Sequence, residues 1–172
     1  MRMKRTNLTF RLAAMTIIVA IGSFAFGDTI NVPNDAKTIQ AAIDLAQGDD
    51  IIMVEPGRYH EIINFKGKAI TLKSQKGAAA TTIDGWNLGD SVVKCISGEG
   101  PSTVIDGFTI TGGTGNKDKY SSEETIGGGL LCIGSSPTVR SCIIVSNSAT
   151  YQGGGVFNGD RSNTIIINCK IR

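Results

Sequence analysis

Two aspartates carry the first hint of chemistry. Thr82-Ile83-Asp84-Gly85 returns as Val104-Ile105-Asp106-Gly107, displaced by 22 residues. Carboxylates brought close together can share a cation or divide the roles of acid and base. Arg140, within Thr138-Val139-Arg140-Ser141-Cys142, is a candidate for an outward-facing base or substrate clamp, but no carboxylate cluster at known distance accompanies it. Trp86, Tyr120 and Tyr151 offer flat faces of the kind on which sugar rings stack, Trp86 beside the first Asp-Gly corner and the tyrosines in loop-like stretches. Each feature also has a plainer use. Asp-Gly is a common turn pair whose carboxylate accepts from nearby backbone N–H groups. Trp86 could simply pack a corner. For the aspartates the turn is preferred; for the aromatics both readings stay open.

Other chemistries are poorly supported. His60 is the single histidine, followed by Glu61. Neighbouring strand residues face opposite ways, so a surface histidine is expected there and not an acid–base couple. Asp49 and Asp50 have no further oxygen ligands at calcium-loop spacing, so a solvated turn is expected. Gly112-Gly113-Thr114-Gly115-Asn116-Lys117 approaches a calcium-binding nonapeptide, but Lys117 stands where that motif needs aspartate. No Cys-x-x-Cys or paired histidines mark a zinc site. Neither a metal nor a cofactor is expected, and calcium has no support.

The elements that must position these residues are short. Thr38 to Gln47 reads as a helix, with Ile39, Ala42, Ile43 and Ala46 on one stripe, Asp35 or Thr38 as cap and Gly48 as stop. Beyond it come apolar runs of three to six residues, separated by Gly, Ser, Asn or Pro. These runs repeat. Gly127-Gly128-Gly129-Leu130 matches Gly153-Gly154-Gly155-Val156, and Ser141-Cys142-Ile143-Ile144 matches Asn168-Cys169-Lys170-Ile171, with Phe108-Thr109-Ile110 in the same place one unit earlier. Repeats of 20 to 30 residues built from short strands imply a solenoid whose coils stack about 4.8 Å apart. On that register Asp84 and Asp106 are expected one coil apart, with carboxylates about 5 Å from each other. Cys142 and Cys169 are expected to stack inward, as reduced packing residues in preference to a bridge, although export permits disulfides; the sequence leaves the disulfide state of Cys95 and Cys132 open. The segment Gly113 to Thr125 is expected to project as a loop, where recognition tends to reside.

The stretch TIQAAIDLAQGDDIIMVEPGRYHEIINFKGKAITLKS resembles the N-terminal opening of pectin-lyase-like right-handed β-helix proteins, in which a helix caps the coil before a strand and a Pro-Gly-x-Tyr turn. GFTITGG, GGGLLCIGSSPTVRSCIIVSNSA and GGGVFN resemble their degenerate surface-protein-type repeats. The resemblance implies an all-β fold: a right-handed parallel β-helix over residues 28–172, with its capping helix near 38–47 and about five to six coils. It implies enzymes and non-enzymes alike, because the scaffold hosts both.

Residues 1–27 read as a secretory signal. Arg2, Lys4, Arg5 and Arg11 flank the apolar run Leu12 to Phe24, and small residues follow at Ala25 and Gly27. This leader holds four of the 17 basic residues and none of the 15 acidic ones, so the remainder carries 13 against 15, a net charge of −2. That balance argues against a nucleic-acid surface, and no membrane span is expected once the leader is removed. Asn168 to Arg172 reads as an open strand, so further coils, a distal domain or a covering partner is expected beyond Arg172. The expected function is that of a secreted or cell-surface scaffold, outer-membrane or extracellular, that binds polysaccharide or cell-envelope glycan. The alternatives are a polysaccharide lyase or glycoside hydrolase whose groove lies largely beyond residue 172, and a structural stalk for a distal domain.

Overall fold

The computed structural model describes residues 27–117 and 123–172. The expected leader, apart from Gly27, and Tyr120 lie outside the described residues. Within them the chain is strands, with a single helix. Three sheets are parallel throughout. The first contains Thr29–Val32, Ile51–Val54, Thr71–Ser74, Val104–Asp106, Thr138–Arg140 and Ile165–Ile167 in that spatial order. Gly57–Tyr59, Thr81–Asp84, Thr109–Thr111, Ile143–Ile144 and Lys170–Ile171 form the second, and Ile63–Asn64, Val93–Cys95, Leu130–Ile133 and Val156–Gly159 the third. From Ile51 onward the chain visits the three sheets in the same rotation, adding one strand to each per circuit. We call one such circuit a rung.

Strand alternation explains the core. Every second residue of each strand points inward, and parallel pairing puts like positions side by side. In the first sheet the inward row is Ile52, Leu72, Ile105 and Val139; in the second it includes Ile83, Ile110 and Ile144; in the third, Ile63, Val93 and Leu130. All are fully buried. β-Branched side chains suit such a stacked, half-extended surface.

The helix, Ile39–Leu45, covers one end of this core with Ile39, Ala42 and Ile43. It is slightly shorter than expected. Thr38 is the N-cap, accepting from the Ala41 N–H at 3.1 Å, and Ala46 already has extended backbone. Asp35, the other candidate cap, instead accepts from the Asn31 backbone N–H. Two side chains from the next rungs hold the helix ends. Glu61 accepts from the Ile39 and Gln40 N–H groups, both at 2.9 Å. The Lys68 ammonium donates to the carbonyls of Ile43, Asp44 and Ala46 at 2.7 to 2.8 Å. A carboxylate at the N-terminus and an ammonium at the C-terminus satisfy orphan backbone groups and oppose the helix dipole. Asp50 closes the following turn by accepting from the N–H groups of Asp28 and Gln47, so its carboxylate serves the backbone.

Two of the three expected registers hold. Leu130 pairs with Val156, and Ile143 pairs with both Thr109 and Lys170, which stacks Phe108, Cys142 and Cys169 at one corner. The third is corrected. Asp84 and Asp106 are not one coil apart: Asp84 lies in the second sheet opposite Thr111, whereas Asp106 lies in the first, between Lys73 and Arg140. The 22-residue interval falls one corner short of a full circuit, so the repeated triplet marks two different corners. At the second corner Gly107 takes φ +80°, and Ser141 and Asn168 stacked above it take +54° and +52°. That left-handed bend lets the chain turn from the first sheet to the second in one residue.

The segment expected to project leaves the third circuit as a two-stranded antiparallel ribbon. Asn116–Lys117 pairs with Thr125–Ile126. Asp90 anchors its base, accepting from the Asn116 amide at 2.7 Å and pairing with Lys94.

Candidate functional site

Exposed recognition groups gather where the second sheet ends and the chain turns toward the third. Arg58 and His60 stand two apart on one strand and its extension, so alternation aims both outward. In-register pairing of Tyr59 with Ile83 brings them beside Asp84 on the next rung. The Arg58 guanidinium donates to Asp84 Oδ2 through Nε at 2.9 Å and through its terminal nitrogen at 2.8 Å. His60 Nδ1 lies 3.7 Å from the same oxygen. The other oxygen, Oδ1, accepts from the Trp86 N–H at 3.0 Å.

Asp84 is therefore buried and fully engaged while its partners are exposed. Burial opposes its charge, but the Trp86 N–H, the Arg58 hydrogen bonds and the nearby positive charge outweigh that effect. They hold its carboxyl below the usual aspartate range. The carboxylate acts as a turn closer, as preferred from sequence, and also as the anchor for two outward groups.

Trp86 itself is 71% exposed. Its indole borders a shallow depression of about 180 Å³ assembled from three successive rungs. One rung supplies Trp86 and Asn87, the next Gly112, Gly113 and Thr114, and the third Ser146 and Ser148. Backbone hydrogen bonds tie these corners together: Gly85 N–H to Thr111 O, Gly112 N–H to Ser146 O and Ser148 N–H to Gly113 O. Close approach at the floor requires glycine. Gly112 has φ +78°, and a Cβ there would fall 2.6 Å from the Trp86 nitrogen; one on Gly113 would fall 1.9 Å from the Gly128 oxygen.

The remaining expected residues lie apart from this groove's lining. Arg140 does face outward, but its guanidinium is paired with Asp106 at 3.0 Å on the first sheet. Tyr151 is exposed and lies on the approach to the third sheet, its N–H bonded to the Thr125 carbonyl. Glu61 is taken up by the helix cap, so it is not a partner for His60.

The four cysteines are free and form two stacks. Cys95 pairs in register with Cys132 inside the third sheet, a stack that the repeat spacing did not reveal because the projecting ribbon lengthens that circuit. Cys142 and Cys169 share the corner expected for them. The hydrogen bond from Cys142 pulls the half-buried Cys169 thiol down to about 6, while the same contact and burial push Cys142 up. Glu99, not anticipated from sequence, is buried at the opposite corner. It accepts from the Gly67 and Ser97 N–H groups and from the Ser135 hydroxyl.

Among the described residues no group of three or more His, Cys, Asp or Glu side chains is arranged to hold a metal ion, and no helix is long and apolar enough to cross a membrane. Compared with family models, curated proteins and solved structures, the chain finds no match in any of the three.

Proposed function

We propose that this chain is an exported or cell-surface right-handed parallel β-helix that binds polysaccharide as a non-catalytic or adhesive scaffold. One observation carries the reading: an exposed tryptophan bordering a shallow groove to which three rungs contribute, with Asn87, Thr114, Ser146 and Ser148 among its lining residues. Sugar recognition combines an aromatic platform with a few fixed hydrogen-bonding groups. The rotation of the chain through three parallel sheets and the long-range caps on the helix supply the rigid support such a platform needs. A glycan array or polysaccharide pull-down with the purified chain tests the reading. Retention by at least one polymer, lost in Trp86→Ala, is expected; retention by none removes it.

A second reading, cleavage of a polysaccharide, draws on His60 lying beside Asp84 at the approach to Trp86. It expects shortening of a polymer that disappears in both His60→Ala and Asp84→Asn. Unchanged cleavage in either variant dismisses those residues as the catalysts. The stacked aspartate dyad expected from sequence gives this reading no support, since Asp84 and Asp106 belong to different sheets.

A further inference from the structure

We propose that the Trp86 groove selects a neutral, pyranose-based glycan and lays it along the direction in which the rungs stack. The inference rests on the polysaccharide-binding reading and narrows it to a ligand class.

Charge is the first argument. None of the groove-lining side chains is ionisable; what Asn87, Thr114, Ser146 and Ser148 offer is neutral donors and acceptors. Arg58, on the preceding rung, is not among the lining residues, and its charge is already balanced by the Asp84 carboxylate. An acidic sugar seated on the indole therefore finds no cation in the lining to balance its charge. A neutral ring meets only hydroxyls, an amide, backbone and an indole face, and gains stacking without paying to desolvate a charge.

Direction is the second. The lining comes from the same corner of three consecutive rungs. Rungs repeat about every 4.8 Å, so the polar groups span on the order of 10 Å, roughly two pyranose rings, along the stacking direction. A polymer with a comparable repeat can present successive hydroxyls to successive rungs. The groove is shallow and opens outward, as suits a chain passing over the surface and not a terminal sugar held in a closed cavity.

Trp86 is the only tryptophan, so emission excited at the red edge of the absorption band, where the three tyrosines do not absorb, reports this residue alone. The test measures acrylamide quenching of the full chain with a soluble neutral glucan or mannan, and separately with a polyuronate, at low and high salt. The expected result is protection of Trp86 by a neutral polymer, unchanged by salt, with no protection by polyuronate. In direct binding, Trp86→Ala should weaken the neutral polymer about tenfold or more, the loss of one stacking face, and Trp86→Phe should restore part of it. Both changes are at an exposed side chain, so folding is preserved. Protection by polyuronate alone, weakened by salt, overturns the neutral assignment and leaves polysaccharide binding standing. Protection by neither polymer overturns the neutral assignment, whereas polysaccharide binding falls only when the array also retains no polymer. Equal binding of neutral polymer by Trp86→Ala overturns the platform.

Discussion

Replacing Asp84 separates its work as a hydrogen-bond acceptor from its work as a charge. In Asp84→Ala the Trp86 N–H loses its acceptor in a crowded corner. An unsatisfied group of that kind costs about 1–3 kcal/mol. The ion pair adds less than about 1 kcal/mol, because the Arg58 guanidinium is mostly exposed to water. The sum is about 1–4 kcal/mol, which for a chain of this size lowers Tm by roughly 2–16 °C. Asp84→Asn keeps an oxygen for the Trp86 N–H but turns its NH2 toward Arg58, so it forfeits the charge and the Arg58 hydrogen bonds. Because the exposed guanidinium can turn to water instead, the cost should stay at about 1 kcal/mol. Far-UV circular dichroism during urea and thermal unfolding measures both, leaving Trp86 emission free as a local reporter. Acid provides an independent arm. The folded-state pKa of Asp84 lies below its unfolded value near 3.9, so the charge contribution is complete above that value and is lost as pH falls through the folded-state pKa. Asp84→Asn should lose less stability than the parent over that interval. Equal destabilisation by Asn and Ala, or an acid transition identical in Asp84→Asn and the parent, would refute the division of roles.

Three further outcomes follow from the same contacts. Glu61→Ala removes acceptors from two N–H groups of the helix and should cost about 1–3 kcal/mol, with hydrogen exchange at Ile39 and Gln40 accelerating first; unaltered exchange there would discount the cap. Gly112→Ala forces a side chain into left-handed backbone against Trp86, so it should lose at least about 1 kcal/mol of stability and shift Trp86 emission. A variant with parent stability and emission would show that the floor has room. Cys169 should be alkylated fastest of the four cysteines, with a pH midpoint about 6 that rises toward the ordinary thiol range in Cys142→Ala. A midpoint left unchanged in Cys142→Ala would contradict the shared hydrogen bond.

The sequence showed some of this plainly and hid the rest for physical reasons. The helix was readable because its stripe and its Thr38 cap are local, and the triple-glycine and Cys142–Cys169 registers because those segments repeat whole strands with their corners. The Ile-Asp-Gly repeat misled because three residues cannot say which corner of a circuit they occupy. Turn chemistry is similar wherever a strand ends. Arg58 and His60 were legible in principle, since alternate strand positions share a face, but their meeting with Asp84 depends on a pairing 24 to 26 residues away. Glu61 and Lys68 went unrecognised as helix caps for the same reason: their partners lie one circuit back. The groove beside Trp86 could not be read at all from any single segment. Its lining joins three stretches whose only relation is the stacking of the rungs.

That stacking is also what a bound ligand would report. In an amide-resolved NMR titration with a soluble neutral oligosaccharide, Trp86–Asn87, Gly112–Thr114 and Ser146–Ser148 should shift together along one saturation curve. Shifts confined to one of those stretches, or gathered elsewhere while all three stay still, would contradict the account.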